Sequence, residues 1–127
     1  MNIMPGTLYN DFLQIGHYQL PRTKLSSVTY DQAIPEQGLA VKVGIRPDFF
    51  NDKNFFAEDG ESFTFDNITV DLIEPMGFDK EVLFTLGGEN VKARLDLRSE
   101  LARGEKVDLL VDLSRVLLFD QETENRL

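Results

Sequence analysis

The sequence predicts an all-β fold: a small, closed or nearly closed barrel of the OB kind with short helical connections. Two observations predict it. Apolar residues recur mainly at every second position, the period of a half-buried strand. Turn signals punctuate the chain roughly every 8 to 12 residues, marking about seven short strands. The chain has 127 residues and fits one domain. A domain of that size buries roughly two-thirds of its unfolded surface, enough for one core.

Taken in order, Thr7 to Leu20 reads as a strand pair, with Asn10-Asp11 or Gly16-His17 as candidate turns. Residues 21 to 38 are polar and flanked by Pro and Gly, a surface connection with one helical turn expected around Tyr30 to Ala33. Leu39, Val41, Val43 and Ile45 then alternate with Lys42, Gly44 and Arg46 until Pro47 removes the ladder donor. Phe63 and Phe65 sit in the opposite parity to Ile68, Val70 and Leu72. A bulge or tight turn near Asp66-Asn67 is therefore required to keep all of these on one face.

The clearest hairpin runs from Val82, Phe84 and Leu86 through Gly87-Gly88-Glu89-Asn90 to Val91, Ala93, Leu95 and Leu97. Its glycines supply the positive φ of a tight reversal. Arg98 to Arg103 is long enough for one or two helical turns, with Gly104 where a left-handed C-cap belongs. Val107, Leu109 and Val111 alternate again, and the apolar Val116 to Phe119 follows. The acidic, turn-rich stretch 51 to 62 separates an earlier strand set, residues 1 to 50, from a later one, 63 to 127. It reads as a boundary between lobes of one domain, because the first set makes a poor core alone.

Charge and composition narrow the function. The 22 acidic against 13 basic side chains give a net charge of −9 with no basic stretch, a field that repels phosphate backbones, so nucleic acid is not an expected partner. There is no cysteine, hence no disulfide framework and no thiolate metal site. No apolar run approaches the ~20 residues of a membrane span, and no export signal is visible. Intracellular residence is the expectation.

No Gly is followed by Lys, so a phosphate-cradling P-loop is missing and nucleotide hydrolysis is not expected of this chain by itself. His17 is the only histidine and lies in a turn signal, distant in sequence from Ser26 and Ser27, which carry no nucleophile motif. Asp66, Asp71 and Glu74, and the Glu58-Asp59-Gly60-Glu61 turn, read as solvated acidic faces, because neither matches a calcium-loop spacing. No catalytic, cofactor-binding or metal-ligating residue is assigned. Phe49-Phe50 and Phe55-Phe56 are adjacent pairs, and adjacent residues of an extended chain face opposite sides, so one of each pair is expected to be exposed.

Four stretches in order carry a resemblance: Met1-Asn-Ile-Met-Pro-Gly6; Gly44-Ile45-Arg46-Pro47 with Asp48-Phe49; Ile73-Glu74-Pro75-Met76-Gly77; and Leu117 to Glu124. Together they resemble the C-terminal regulatory region, of TOBE or MOBE type, in the ATP-binding subunits of maltose-type carbohydrate ABC importers. That family has Gly-Ile-Arg-Pro-Glu-His, Val-Glu-x-Leu-Gly and His-Leu-Phe-Asp-x-x-Thr-Gly at these places. Here Asp48 replaces Glu, Phe49 replaces His, Met76 replaces Leu, and the last motif has Leu117 and Glu124 in place of His and Gly. A role that needs either imidazole is not carried over.

The resemblance implies a non-catalytic regulatory and dimerisation domain, and its internal Met-Asn implies a portion of a longer polypeptide. It implies a second copy of the chain, an ATPase domain and membrane subunits as partners, with a regulatory protein or metabolite as effector. ATP and Mg would belong to the ATPase domain and none to this chain. Location at the inner face of the cell membrane, through the transporter, is implied likewise. The candidate regulatory or interface residues are Arg46, Pro47, Asp48, Phe49, Glu74, Gly77, Phe119 and Asp120. The alternative expectation is a free-standing OB or TOBE-like module that binds a small anion or metabolite.

Overall fold

The computed structural model describes residues 1–127. Eleven strands form in chain order: β1 (Asn2–Leu8), β2 (Phe12–Ile15), β3 (Tyr18–Pro21), β4 (Leu39–Ile45), β5 (Phe50–Asp52), β6 (Ser62–Thr69), β7 (Leu72–Pro75), β8 (Asp79–Leu86), β9 (Glu89–Asp96), β10 (Lys106–Asp112) and β11 (Leu117–Asp120). Single 3-10 turns at Arg22–Lys24, Pro47–Phe49 and Leu113–Arg115 are the helical connections. No helix is long and apolar enough to cross a membrane.

All strand pairs are antiparallel, and the short turns of β1–β2, β2–β3, β7–β8 and β8–β9 allow no other pairing of those consecutive strands. Three sheets result, ordered β11-β4-β1-β2-β3, β5-β10-β6 and β7-β8-β9. They close around one cluster of 27 buried residues, which draws Val41, Val43 and Ile45 from β4, Val82, Phe84 and Leu86 from β8, and Val91, Ala93 and Leu95 from β9. These are the alternating positions of the sequence, so pattern and burial agree. At the centre Phe50 meets Phe84 edge to face at 5.6 Å, and Tyr18 meets Phe65 likewise at 5.1 Å. The Tyr18 hydroxyl is satisfied by donating to the Asp66 carbonyl at 2.6 Å. Burial, then the nearby Asp66 and Asp108 charges, raise its pKa.

The N-terminal segment uses both candidate turns, so β1, β2 and β3 make a meander instead of one strand pair. The hairpin turn between β8 and β9 is the two residues Gly87 and Gly88, at φ +60° and +82°, with Leu86 opposite Glu89. The expected irregularity after Phe65 is present: Asn67 adopts φ +60° and the register against β10 shifts between Val107 and Leu109. Phe65, Ile68 and Val70 are thereby all buried. Leu72 does not share their face and is exposed. The reason is a change of partner, for the Val70 N–H donates to Glu105 whereas the Asp71 N–H donates to Leu83. The chain leaves β10 and joins β8 at that point.

Both expected helical segments are absent. Residues 98 to 103 form turns because their polar groups are engaged elsewhere. Asp96 Oδ1 accepts from the Arg98 N–H at 2.8 Å, the Ser99 hydroxyl is drawn inward to Asp52, and the Gly104 N–H donates to Val70. Gly104 keeps its positive φ, +87°, without a helix to cap. Around Tyr30 to Ala33, the Tyr30 carbonyl accepts from Arg22 Nη2 at 2.7 Å and not from a helical N–H. The 51 to 62 stretch separates the strand sets in sequence but not in space, since β10 pairs with β5 at its start and with β6 at its end.

Candidate functional site

Pro47 ends β4 and, at the first position of a 3-10 turn, turns the chain outward, a place where its missing N–H costs nothing. The turn leaves Phe49 half-buried against the edge of the core, while Phe50, one residue on, is fully buried within it. Two guanidinium groups lie over the Phe49 ring, Arg46 at 5.8 Å and Arg115 at 5.1 Å from its centroid. Arg115 comes from the turn Leu113–Arg115, whose N-terminus is capped by Asp112 accepting from the Ser114 N–H at 2.9 Å. The ring therefore ties the end of β4 to the connection between β10 and β11.

Phe49 and Arg115 stand between two clefts, one lined by arginines and the other mainly by aspartates. One, of about 400 Å³, is lined by Met1, Ser27, Gly44, Arg46, Ser114, Arg115, Leu117 and Arg126 as well as Phe49, and has three arginines and no carboxylate. The other, of about 300 Å³, includes Asp48, Asp59 and Asp112, with Arg115 lining both. Arg46 pairs with Asp48 at 3.9 Å and Arg115 with Asp112 at 3.8 Å, both through Nε and both well exposed. Such pairs contribute little, about 0–1 kcal/mol.

The structure brings some of the expected site residues together and separates others. Arg46, Pro47, Asp48 and Phe49 form one surface. Asp48 caps no turn, because Arg46 and not Asp48 occupies the N-cap position. Phe119 and Asp120 lie along β11, which pairs with β4 from Leu117 opposite Gly44 to Asp120 opposite Val41. Asp120 Oδ1 accepts from the backbone N–H groups of Glu122 and Thr123, both at 2.9 Å, and these bonds hold its carboxyl below the usual value. Its role is to shape the last turn.

Glu74 and Gly77 are elsewhere, on β7 and the turn into β8. Gly77 adopts φ +89° in that turn, closed by the Met76 N–H donating to Asp79 at 2.9 Å. The tip presents Phe78, 97% exposed, and Met76, and Leu72 on β7 and Leu97 just beyond β9 are exposed as well. Of the paired phenylalanines, Phe55 and Phe56 are both exposed, and Arg98 covers Phe55 at 5.5 Å. His17 stacks on Tyr18 at 4.0 Å in its turn. Sequence reasoning missed Arg115 and Arg126, because nothing local distinguishes a lone arginine whose neighbours in space come from the far end of the chain.

An ATP-binding protein of Brucella suis biovar 1 (strain 1330) is 30% identical over 123 residues, which are 97% of this chain and 31% of that protein. The sulfoquinovosyl glycerol transport ATP-binding protein SmoE of Agrobacterium fabrum is 35% identical over 91 residues, 69% of this chain and 23% of that protein. This chain's relatives are C-terminal portions of carbohydrate ABC importer ATP-binding subunits. It spans a third or less of their length. Among solved structures, the cytoplasmic molybdate-binding protein ModG aligns with a TM-score of 0.56 over 92% of this chain and 94% of that one, at 16% identity. At that identity the likeness is one of fold, and the fold is OB-type. No protein-family model matches the chain.

Proposed function

We propose that this chain is a non-catalytic regulatory and dimerisation domain of the ATP-binding subunit of a carbohydrate importer. The observation that carries the proposal is a similarity running along 97% of a chain that has no phosphate-binding loop, against about a third of an ATP-binding protein. An all-β unit with its own core, attached to an ATPase, acts through contact. The β7 edge offers the contact surface: it pairs only with β8, and Leu72, Met76 and Phe78 are exposed beside it. Open edges and clustered exposed apolar groups favour association. Two such domains meeting there would hold two ATPase domains together through opening and closing, and an effector would bias that cycle by its difference in affinity for the two arrangements.

Light scattering on the chain at about 100 µM tests this, a concentration at which an association with Kd near 10 µM, about 7 kcal/mol, is mostly complete. A dimer is expected, and Phe78→Ser together with Met76→Ser should return it to a monomer. A monomer at every concentration in the unsubstituted chain would remove the dimerisation role. The second reading, a free-standing module for a small anion or metabolite, is supported by the OB-type likeness to ModG. The size of the native polypeptide in source cells separates the two: 14.5 kDa, the mass of this chain, favours the free-standing module.

A further inference from the structure

We infer that the cleft between Phe49 and Arg126 is a binding site for a phosphate group, either free or carried as the monoester of a small metabolite. The inference holds under either reading above, because it concerns the chain's own side chains.

Its first support is the local reversal of charge. Acidic side chains outnumber basic ones 22 to 13 along the chain, yet this cleft gathers Arg46, Arg115 and Arg126 and no carboxylate. Such a concentration of one sign makes a local field opposite to that of the whole protein, and concave walls focus it.

Its second support is preorganisation. Arg46 and Arg115 both rest on the Phe49 ring, so their planar groups are held on a shared support before any ligand arrives. Their single ion pairs use Nε only, at 3.9 and 3.8 Å, and the partner carboxylates Asp48 and Asp112 line the neighbouring cleft beyond Phe49. The paired Nη donors of both, which fit phosphate oxygens two at a time, are left without a protein acceptor. Arg126 forms no ion pair, and it lines the cleft from a segment whose backbone bridges to Phe119.

Its third support is size and lining. A phosphomonoester carries a charge of about −1.5 to −2 at neutral pH, which suits three guanidinium groups. A cleft of about 400 Å³ exceeds a bare phosphate and leaves room for a small organic part against Phe49, Leu117 and Met1.

Calorimetric titration of the chain at low ionic strength with inorganic phosphate, glucose 6-phosphate and sulfate tests the assignment. Saturable one-to-one binding of a phosphate-bearing probe is expected, weakened about tenfold or more by Arg126→Gln and further by Arg46→Gln, as loss of charged hydrogen bonds requires. Both side chains are outside the core, so an unchanged melting temperature will show that the variants fold. Tighter binding of glucose 6-phosphate than of phosphate identifies an ester, and the reverse identifies the free ion. Absence of saturable binding of all three probes at about 10 mM, the range of a contact worth under 3 kcal/mol, overturns the site. So does full affinity in the R46Q/R126Q double variant. Loss of self-association leaves this titration unaffected, so the two proposals fail separately.

Discussion

The side-chain amide of Asn2 binds the backbone of Lys92 twice: its Nδ2 donates to the Lys92 carbonyl at 2.7 Å and its Oδ1 accepts from the Lys92 N–H at 2.9 Å. One amide thus stands in for a neighbouring strand along β9, which has no ladder partner on that side. The pair joins the first sheet to the third across 90 residues of sequence.

Asn2→Ala removes both bonds and leaves a partly buried N–H and C=O unpaired. An expected cost of about 1–3 kcal/mol follows from that desolvation, measured as a shift of the urea midpoint at constant slope. Asn2→Asp should be no better, since a carboxylate faces the Lys92 carbonyl.

Asp52 and Ser99 form a buried pair, with the Ser99 hydroxyl donating to Asp52 Oδ2 at 2.5 Å and the Asn54 N–H donating to Oδ1 at 3.0 Å. Ser99→Ala takes away a bond to a charged group, so a loss of about 1.5–3 kcal/mol is expected. Hydrogen exchange should speed up selectively in residues 97 to 104, which this bond draws onto β5.

Phe49 and Phe50 are adjacent in sequence and opposite in consequence. Phe50→Ala empties the space beside Phe84 and should cost about 3–5 kcal/mol. Phe49 is half-buried and packs against the edge of the core, so Phe49→Ala should lower the melting temperature by less than Phe50→Ala and should also free Arg46 and Arg115.

Asp120 provides a pH prediction. Its folded pKa lies below the ordinary 3.8 because the Thr123 N–H, then the Glu122 N–H, donate to it. A depressed carboxylate pKa stabilises the fold above the unfolded value, and that contribution disappears as pH falls through the folded value. The last turn should therefore loosen below 3.8, seen as faster exchange of the Glu122 and Thr123 amides, and Asp120→Asn should remove that acid dependence. Glu124, lowered by its bond to Lys42, reinforces the same trend.

The strand pattern was readable wherever local signals agreed. Val82 to Leu97 combined a period of two with two glycines, and the parity change between Phe65 and Ile68 demanded the irregularity found at Asn67. Arg98 to Arg103 misled because helix length and a following glycine are local, whereas the pull of Asp52 on Ser99 is not. The arginine cleft was invisible for the same reason. Its lining comes from residues 1, 27, 44, 46, 49, 114, 115, 117 and 126, which no window brings together. Arg46 and Phe49 were found through a motif, and Arg115 and Arg126 had none.

Met1 and Arg126 line the same cleft, so the two ends of the described chain emerge side by side. Topologically the fold is close to a ring. A short linker joining Leu127 to Met1, with new ends opened at the exposed Gly88 in the β8–β9 turn, should give a circular permutant with the same core. Conversely, anything fused at either end stands at the mouth of the arginine cleft and shares access to it.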